Sequence, residues 1–205
     1  MSSHLRALGH GAIALAALGI TMGACAQSSQ SSLAREIGAS GSAGKGFIDL
    51  SIGKATYGTS CGNVAGLTCS RGTTSYSLTG GNMITENLGI ELSAMNLGKA
   101  DAAGGSVIAR GVNLSAVGRI PLGDSFAIEG KVGPTYGVTH VTAIEASGLP
   151  SGRASGLGIG YGVALDMNVA RGWHGAVGWE RHDFHFVGQG RSAVKNMTLA
   201  LGYTF

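Results

Sequence analysis

The densest run of groups able to move protons or hold metals is "ERHDFHF", Glu180 to Phe186. Imidazole beside carboxylate is the pairing that acid–base catalysis and zinc ligation both use. The surrounding residues alternate, however. Trp173, Val177 and Trp179 fall on one parity, and His174, Gly178, Glu180 and His182 on the other. In an extended chain Glu180 and His182 leave one face while Asp183 and His185 leave the opposite one, so no single site collects all four. Neither a catalytic centre nor a metal site is expected there. A second candidate is the Gly-x-Gly-x-Gly run in "SGLGIGYGVALD". A phosphate cradle needs a helix to follow the glycines, and none is signalled. These glycines are expected to permit close packing or strand bending instead.

Both candidates sit within alternating segments, and that alternation dominates residues 46–205. "FIDLSIGKATY" puts Ile48, Leu50 and Ile52 against Asp49 and Ser51. "TTSYSLTGG" puts Tyr76 and Leu78 against Ser75, Ser77 and Thr79. "NLGIELSAM" and "GVNLSAVGRI" continue the rule, with Glu91 opposite Leu88, Ile90 and Leu92, and Arg119 opposite Val112, Leu114 and Ile120. "FAIEGKVGPTY" sets Glu129 and Lys131 against Phe126, Ile128, Val132 and Tyr136. "LGIGYGVALDM" sets Asp166 against Leu157, Ile159, Val163, Leu165 and Met167. The chain closes on "MTLALGYTF", where Met197, Leu199, Leu201, Tyr203 and Phe205 share one face. Period two over this length signals eight strands, each with one apolar face. Short turns are expected near 83–86, 122–125 and 168–172, and longer loops near 58–72, 98–106, 140–153 and 187–192. Pro134 interrupts the fifth strand, where it removes a ladder donor, so a bulge or local break is expected there.

The N-terminus has its own character. His4, Arg6 and His10 precede the apolar run "GAIALAALGI", and "ACA" at 24–26 is a small-x-small cleavage site, so residues 1–26 are expected to be a secretory signal. Lipidation of Cys25 is the alternative. Residues 27–45, rich in Ser, Gly and Ala, form a flexible leader. Cleavage would leave Cys61 and Cys69 as a pair bracketing "GNVAGLT". In an exported protein that pair reads as a disulfide, since further metal ligands are not at hand.

Composition indicates where such strands reside. Glycine numbers 37 and charged residues make up only 12%, against a usual charged share of about 25%. No apolar run after the N-terminal segment approaches the roughly 20 residues of a membrane helix. Net charge is +3 with scattered cations, which gives nucleic-acid binding no support. A sheet that closes on itself can cross hydrocarbon, because closure satisfies every backbone group. Residues 46–205 divided among eight strands leave about 20 each, enough for the 9–11 residues of a spanning strand plus a connection. The aromatics sort toward the two edges of such a wall: Phe126, Trp173 and Phe205 at the short-turn side, Tyr57, Tyr76 and Tyr136 at the long-loop side. A closed, antiparallel, up-and-down β-barrel of eight strands follows, although a hairpin hidden in a long loop would make ten.

The segments "FIDLSIGKATYG", "NLGIELSAMNLG", "VNLSAVGRIPLGDSFAIEGKVGPTYG" and "GLGIGYGVALDMNVARGWHGAVGWERHDF" resemble successive strands of the OmpA-type eight-stranded membrane domain. The final nonapeptide, with Tyr203 and Phe205, resembles the strand read by the outer-membrane assembly machinery. The resemblance implies a Gram-negative outer membrane, contact with its lipid, both mature termini in the periplasm and a polar interior without a wide pore. The chain ends with the barrel, so the cell-wall-binding domain of full-length OmpA is not expected. By parity Asp49, Glu91, Arg119, Glu129, Lys131, Asp166 and Glu180 face the lumen, either as a plug of paired charges or as the lining of a channel. The pairings Glu129–Lys131 and Glu91–Arg119 are the nearest at hand. The expected role is non-enzymatic and cofactor-free: envelope integrity, or interaction with a surface ligand through the external loops. A narrow porin is the alternative. A third reading is an enzyme altering lipid A acyl chains, which needs a nucleophilic Ser beside His, and no His-x-Ser element is found.

Overall fold

In the computed structural model the described residues are 44–58, 72–102, 105–143 and 150–205. The signal segment, nearly all of the leader, the Cys61–Cys69 pair, most of the 58–72 connection and residues 144–149 of the 140–153 connection lie outside them. The eight strands are β1 (Gly46–Tyr57), β2 (Gly72–Met83), β3 (Leu88–Ala102), β4 (Gly105–Pro121), β5 (Phe126–Thr142), β6 (Gly152–Ala170), β7 (Trp173–Phe186) and β8 (Gly190–Thr204). Each pairs antiparallel with its neighbour in chain order, and β1 pairs with β8 from Phe47↔Thr204 to Tyr57↔Val194, closing the barrel. Backbone bonds between Gly46 and Phe205 finish the seam at 2.9 and 3.1 Å.

The alternation read from the sequence sets which residues face out. Leu50, Leu92, Leu114, Leu157, Leu199 and Phe205 stand on the outer wall, and the large apolar residues of that wall are 39–73% exposed. The inner face holds the buried polar set, including Glu91, Ser93, Asn113, Thr135, Asp166 and Asn196. Apolar outside and polar inside reverses the arrangement of a water-soluble barrel, and a bilayer is the solvent that such an outer wall suits.

Three local expectations require correction or refinement. The long loop expected at 98–106 is mostly strand, since β3 runs to Ala102 and β4 starts at Gly105, and the one expected at 187–192 shortens to 187–189 between β7 and β8. The β3–β4 ladder passes through a bulge between Asn96 and Lys99. There Gly98 adopts φ +74°, and a Cβ on it would lie 2.2 Å from the Thr74 carbonyl oxygen. Gly98 thus marks a bulge inside a strand rather than a loop. At Pro134 the β5–β6 register is unbroken, while the β4–β5 ladder skips from Asn113↔Thr135 to Ala116↔Val132 without a shift. Asn113 Nδ2 donates to the Pro134 carbonyl at 3.0 Å, so a side chain stands in where the ladder lapses.

Tyr57 is the third. Its nearness to a long loop predicts a place in the outer aromatic girdle, but it points into the barrel and is 1% exposed. Strand β1 keeps strict alternation to its end, so Tyr57 shares the inward parity of Asp49 and Ala55. Tyr76, Phe126, Tyr136, Trp173 and Phe205 do face outward. Trp173 packs edge-on against Tyr203 at the short-turn edge, with ring centroids 5.3 Å apart.

Candidate functional site

The lumen is the place where functional groups converge, and it has three levels. Nearest the short turns is a chamber of about 660 Å³ lined by Phe47, Asp49, Arg119, Glu129, Asp166 and His174, reaching the rim at Lys45, Glu86 and Gly123. His174 Nε2 lies 2.8 Å from Asp49 Oδ1. Asp166 Oδ2 is buried without a protein partner among the described residues, and the chamber beside it has room for water. Arg119 stands opposite Glu129 in the β4–β5 register.

The middle level holds the charge cluster. Lys131 Nζ lies 2.6 Å from Glu180 Oε1 and 3.1 Å from Glu91 Oε1. The register explains the meeting: Lys131 pairs with Gly162, which pairs in turn with Glu180, so a residue without a side chain separates the two in the ring. Glu91 reaches across from β3. His182 Nε2 lies 3.3 Å from Glu180 Oε2, and its Nδ1 lies 3.1 Å from Thr135 Oγ1. Asn113 Nδ2 donates to Thr135 Oγ1 at 2.8 Å, and Asn113 Oδ1 accepts the Ser115 hydroxyl. One connected network therefore runs Glu91–Lys131–Glu180–His182–Thr135–Asn113–Ser115. The other side of the ring carries hydroxyl and amide pairs: Ser51–Ser77, Thr79–Ser93 at 2.7 Å, and Ser75 donating to Asn196 at 2.6 Å. The expected partners Glu129 for Lys131 and Arg119 for Glu91 are not the ones adopted. Asp49, Arg119, Glu129 and Asp166 belong to the chamber, below the cluster.

The third level, toward the longer connections, is one the sequence reading missed. Ala55, Tyr57, Leu97, Val107, Phe184 and Phe186 form a buried apolar cluster inside the barrel. The Tyr57 hydroxyl donates to the Gly98 carbonyl at 2.8 Å and accepts the Ala109 N–H at 3.0 Å. Phe184 lies over Gly137, where a Cβ would approach its ring to 2.1 Å. The signal was present in "DFHF" and "KATY", whose aromatics have inward parity.

Charge on the outer wall is also uneven. Among the described residues, the outward-facing charges on the strand segments toward the longer connections are Lys54, Lys99, Arg110, Arg153, Arg191 and Lys195, against Asp101 and Asp183, while Arg181 donates to the Tyr161 hydroxyl at 3.1 Å. "ERHDFHF" is divided as its alternation requires: Glu180 and His182 join the lumenal network, whereas Asp183 lies 3.6 Å from Arg181 and His185 lies 3.2 Å from the Leu157 carbonyl. Among the described residues no group of three or more His, Cys, Asp or Glu is arranged to hold a metal.

Several solved structures share this architecture. Neisserial surface protein A is matched with a TM-score of 0.61 at 14% identity, covering 79% of this chain and 99% of that one. OprG from Pseudomonas aeruginosa follows at TM-score 0.55 and 17% identity, covering 80% and 97%. Ail of Yersinia pestis is matched at TM-score 0.53 and 16% identity, covering 80% and 99%. No curated protein matches the sequence. The sequence matches the family described as the outer membrane protein beta-barrel domain over residues 12–205. With its apolar wall outward, its charges within and its ring closed by eight strands, the chain belongs to that outer-membrane β-barrel family.

Proposed function

We propose that this protein is a sealed, non-enzymatic barrel of a Gram-negative outer membrane that supports envelope integrity and meets surface ligands through its external connections. The observation that carries this reading is the apolar plug: Tyr57, Leu97, Val107, Phe184, Phe186 and Val194 are each at most 3% exposed and cluster inside the barrel at the end with the longer connections. Eight strands enclose an interior only wide enough for side chains, so an apolar cluster across it interrupts an aqueous path. Against an enzyme, His182 is engaged inside the barrel by Glu180 and Thr135, away from any lipid substrate. In this reading residues 1–26 are removed on export, Cys61 and Cys69 are joined, and the Met197–Phe205 strand is read by the assembly machinery. Ail has been solved with the heparin analogue sucrose octasulfate; for this chain a surface ligand at the external rim is the corresponding proposal.

Single-channel recording of the refolded barrel in a planar bilayer tests the seal. The native protein is expected to give no stable steps, and the Tyr57→Ala/Phe184→Ala double variant to give them. Stable steps from the native protein would establish the narrow-porin reading, which the polar chamber favours. Lipid A incubated with the same preparation is expected to keep its acyl-chain mass.

A further inference from the structure

We infer that the outer wall carries a binding site for one phosphorylated lipid of the external leaflet, with an acyl chain in a groove over β3 and β4 and the phosphate on Arg110 and Lys99. The groove measures about 550 Å³ and spans the wall from Leu50 and Leu78 to Tyr136 and Val138. Its cause is a size mismatch. In the outward row Leu78–Ala94–Val112–Tyr136, set by the paired registers, Ala94 leaves a dip between larger neighbours, and Tyr76 rises beside it in the next row. An acyl chain has the width and polarity to fill such a dip, and seating in it gives the chain closer contact than a flat wall would.

The groove ends in cations. Arg110 lines it directly. Lys99 of β3 and His140 of β5 both pair with Ile108, two positions beyond Arg110 on the same outward face. Arg110, Lys99 and His140 form no ion pair within 4.0 Å among the described residues; the nearest acid by register is Asp101, one outward step further along β3. Cations gathered on adjacent strands repel one another unless an anion lies among them. A phosphate is the anion that an arginine fork and an ammonium both suit, and the place is the level at which a head group sits above an apolar band. Charge and groove thus specify one amphiphile rather than an anion alone. The inference does not depend on whether the lumen conducts.

Native mass spectrometry of the folded protein in neutral detergent, with bisphosphorylated lipid A as the probe, tests it. The native protein is expected to retain a single lipid. Arg110→Gln/Lys99→Gln should lower its occupancy at least tenfold, and Ala94→Phe, which fills the dip and leaves charge untouched, should do likewise. Lys54→Gln/Lys195→Gln, the same charge loss on β1 and β8, should change it less than twofold. A soluble sugar phosphate without acyl chains should not displace the lipid. Equal losses in both pairs of charge variants, unchanged binding in Arg110→Gln/Lys99→Gln, or displacement by the sugar phosphate would each overturn the inference. All these substitutions are on the outer wall, and a shift between unboiled and boiled samples on a detergent gel confirms that each variant is folded.

Discussion

Lys131 is held between two carboxylates, Glu91 at 3.1 Å and Glu180 at 2.6 Å, in a part of the lumen with little access to water. Such a triad owes its persistence to completeness: remove the cation and two buried carboxylates repel across a few ångströms. Lys131→Met is therefore expected to destabilise the barrel by about 3–5 kcal/mol, measured by urea unfolding in lipid vesicles. Adding Glu91→Gln and Glu180→Gln to that variant should recover most of the loss, because the uncompensated charges go with the lysine. Parity in the sequence was enough to send all three side chains inward. It was not enough to pair them, since partners depend on the stagger of β3, β5 and β7 around the ring. That stagger brought Glu180 to Lys131 across Gly162 and left Glu129, two residues away on the same strand, in the chamber below.

At the level of the strand, β8 shows how far a period-two pattern can be carried. Met197, Leu199, Leu201 and Tyr203 are 40–63% exposed, while Asn196 and Thr198, on the opposite parity, are buried. Leu199→Arg is expected to cost about 2–4 kcal/mol in a bilayer, as for a cation introduced on a lipid-facing strand near mid-depth. Equilibrium unfolding in vesicles measures it, and a cost near zero would mean that this face meets water. Strand number, order and facing were legible because alternation is a local property of the chain. Strand length was less so. "NLGKADAAGGS" has the composition of a loop, yet β3 and β4 pair through much of it, because each lends the other hydrogen bonds that propensity does not count. Tyr57 differs from its expected rim position for a related reason: nearness to a loop points to the rim, while the strict alternation of β1 turns the ring inward.

Taken whole, the barrel is filled unevenly along its axis. A polar chamber of about 660 Å³ opens toward the short turns, an ion and hydroxyl layer crosses the middle, and an apolar plug closes the end with the longer connections. A cysteine placed at Glu129 should react with a membrane-impermeant charged thiol reagent supplied on the short-turn side and resist it from the other, scored by mass in oriented proteoliposomes. The plug escaped the sequence reading because an inward aromatic near a strand end obeys the same alternation as an inward serine; only closure of the ring shows that Tyr57, Phe184 and Phe186 meet.

The chamber's one-sided opening has a consequence for the hydrogen-bonded pair His174 and Asp49. In the orientation proposed above, these groups sit in a hollow that draws its water and salt from the periplasm. Acid or salt stress applied to the cell exterior would then reach them only after crossing the membrane elsewhere, and the barrel's inner electrostatics would keep the chemistry of the compartment behind it.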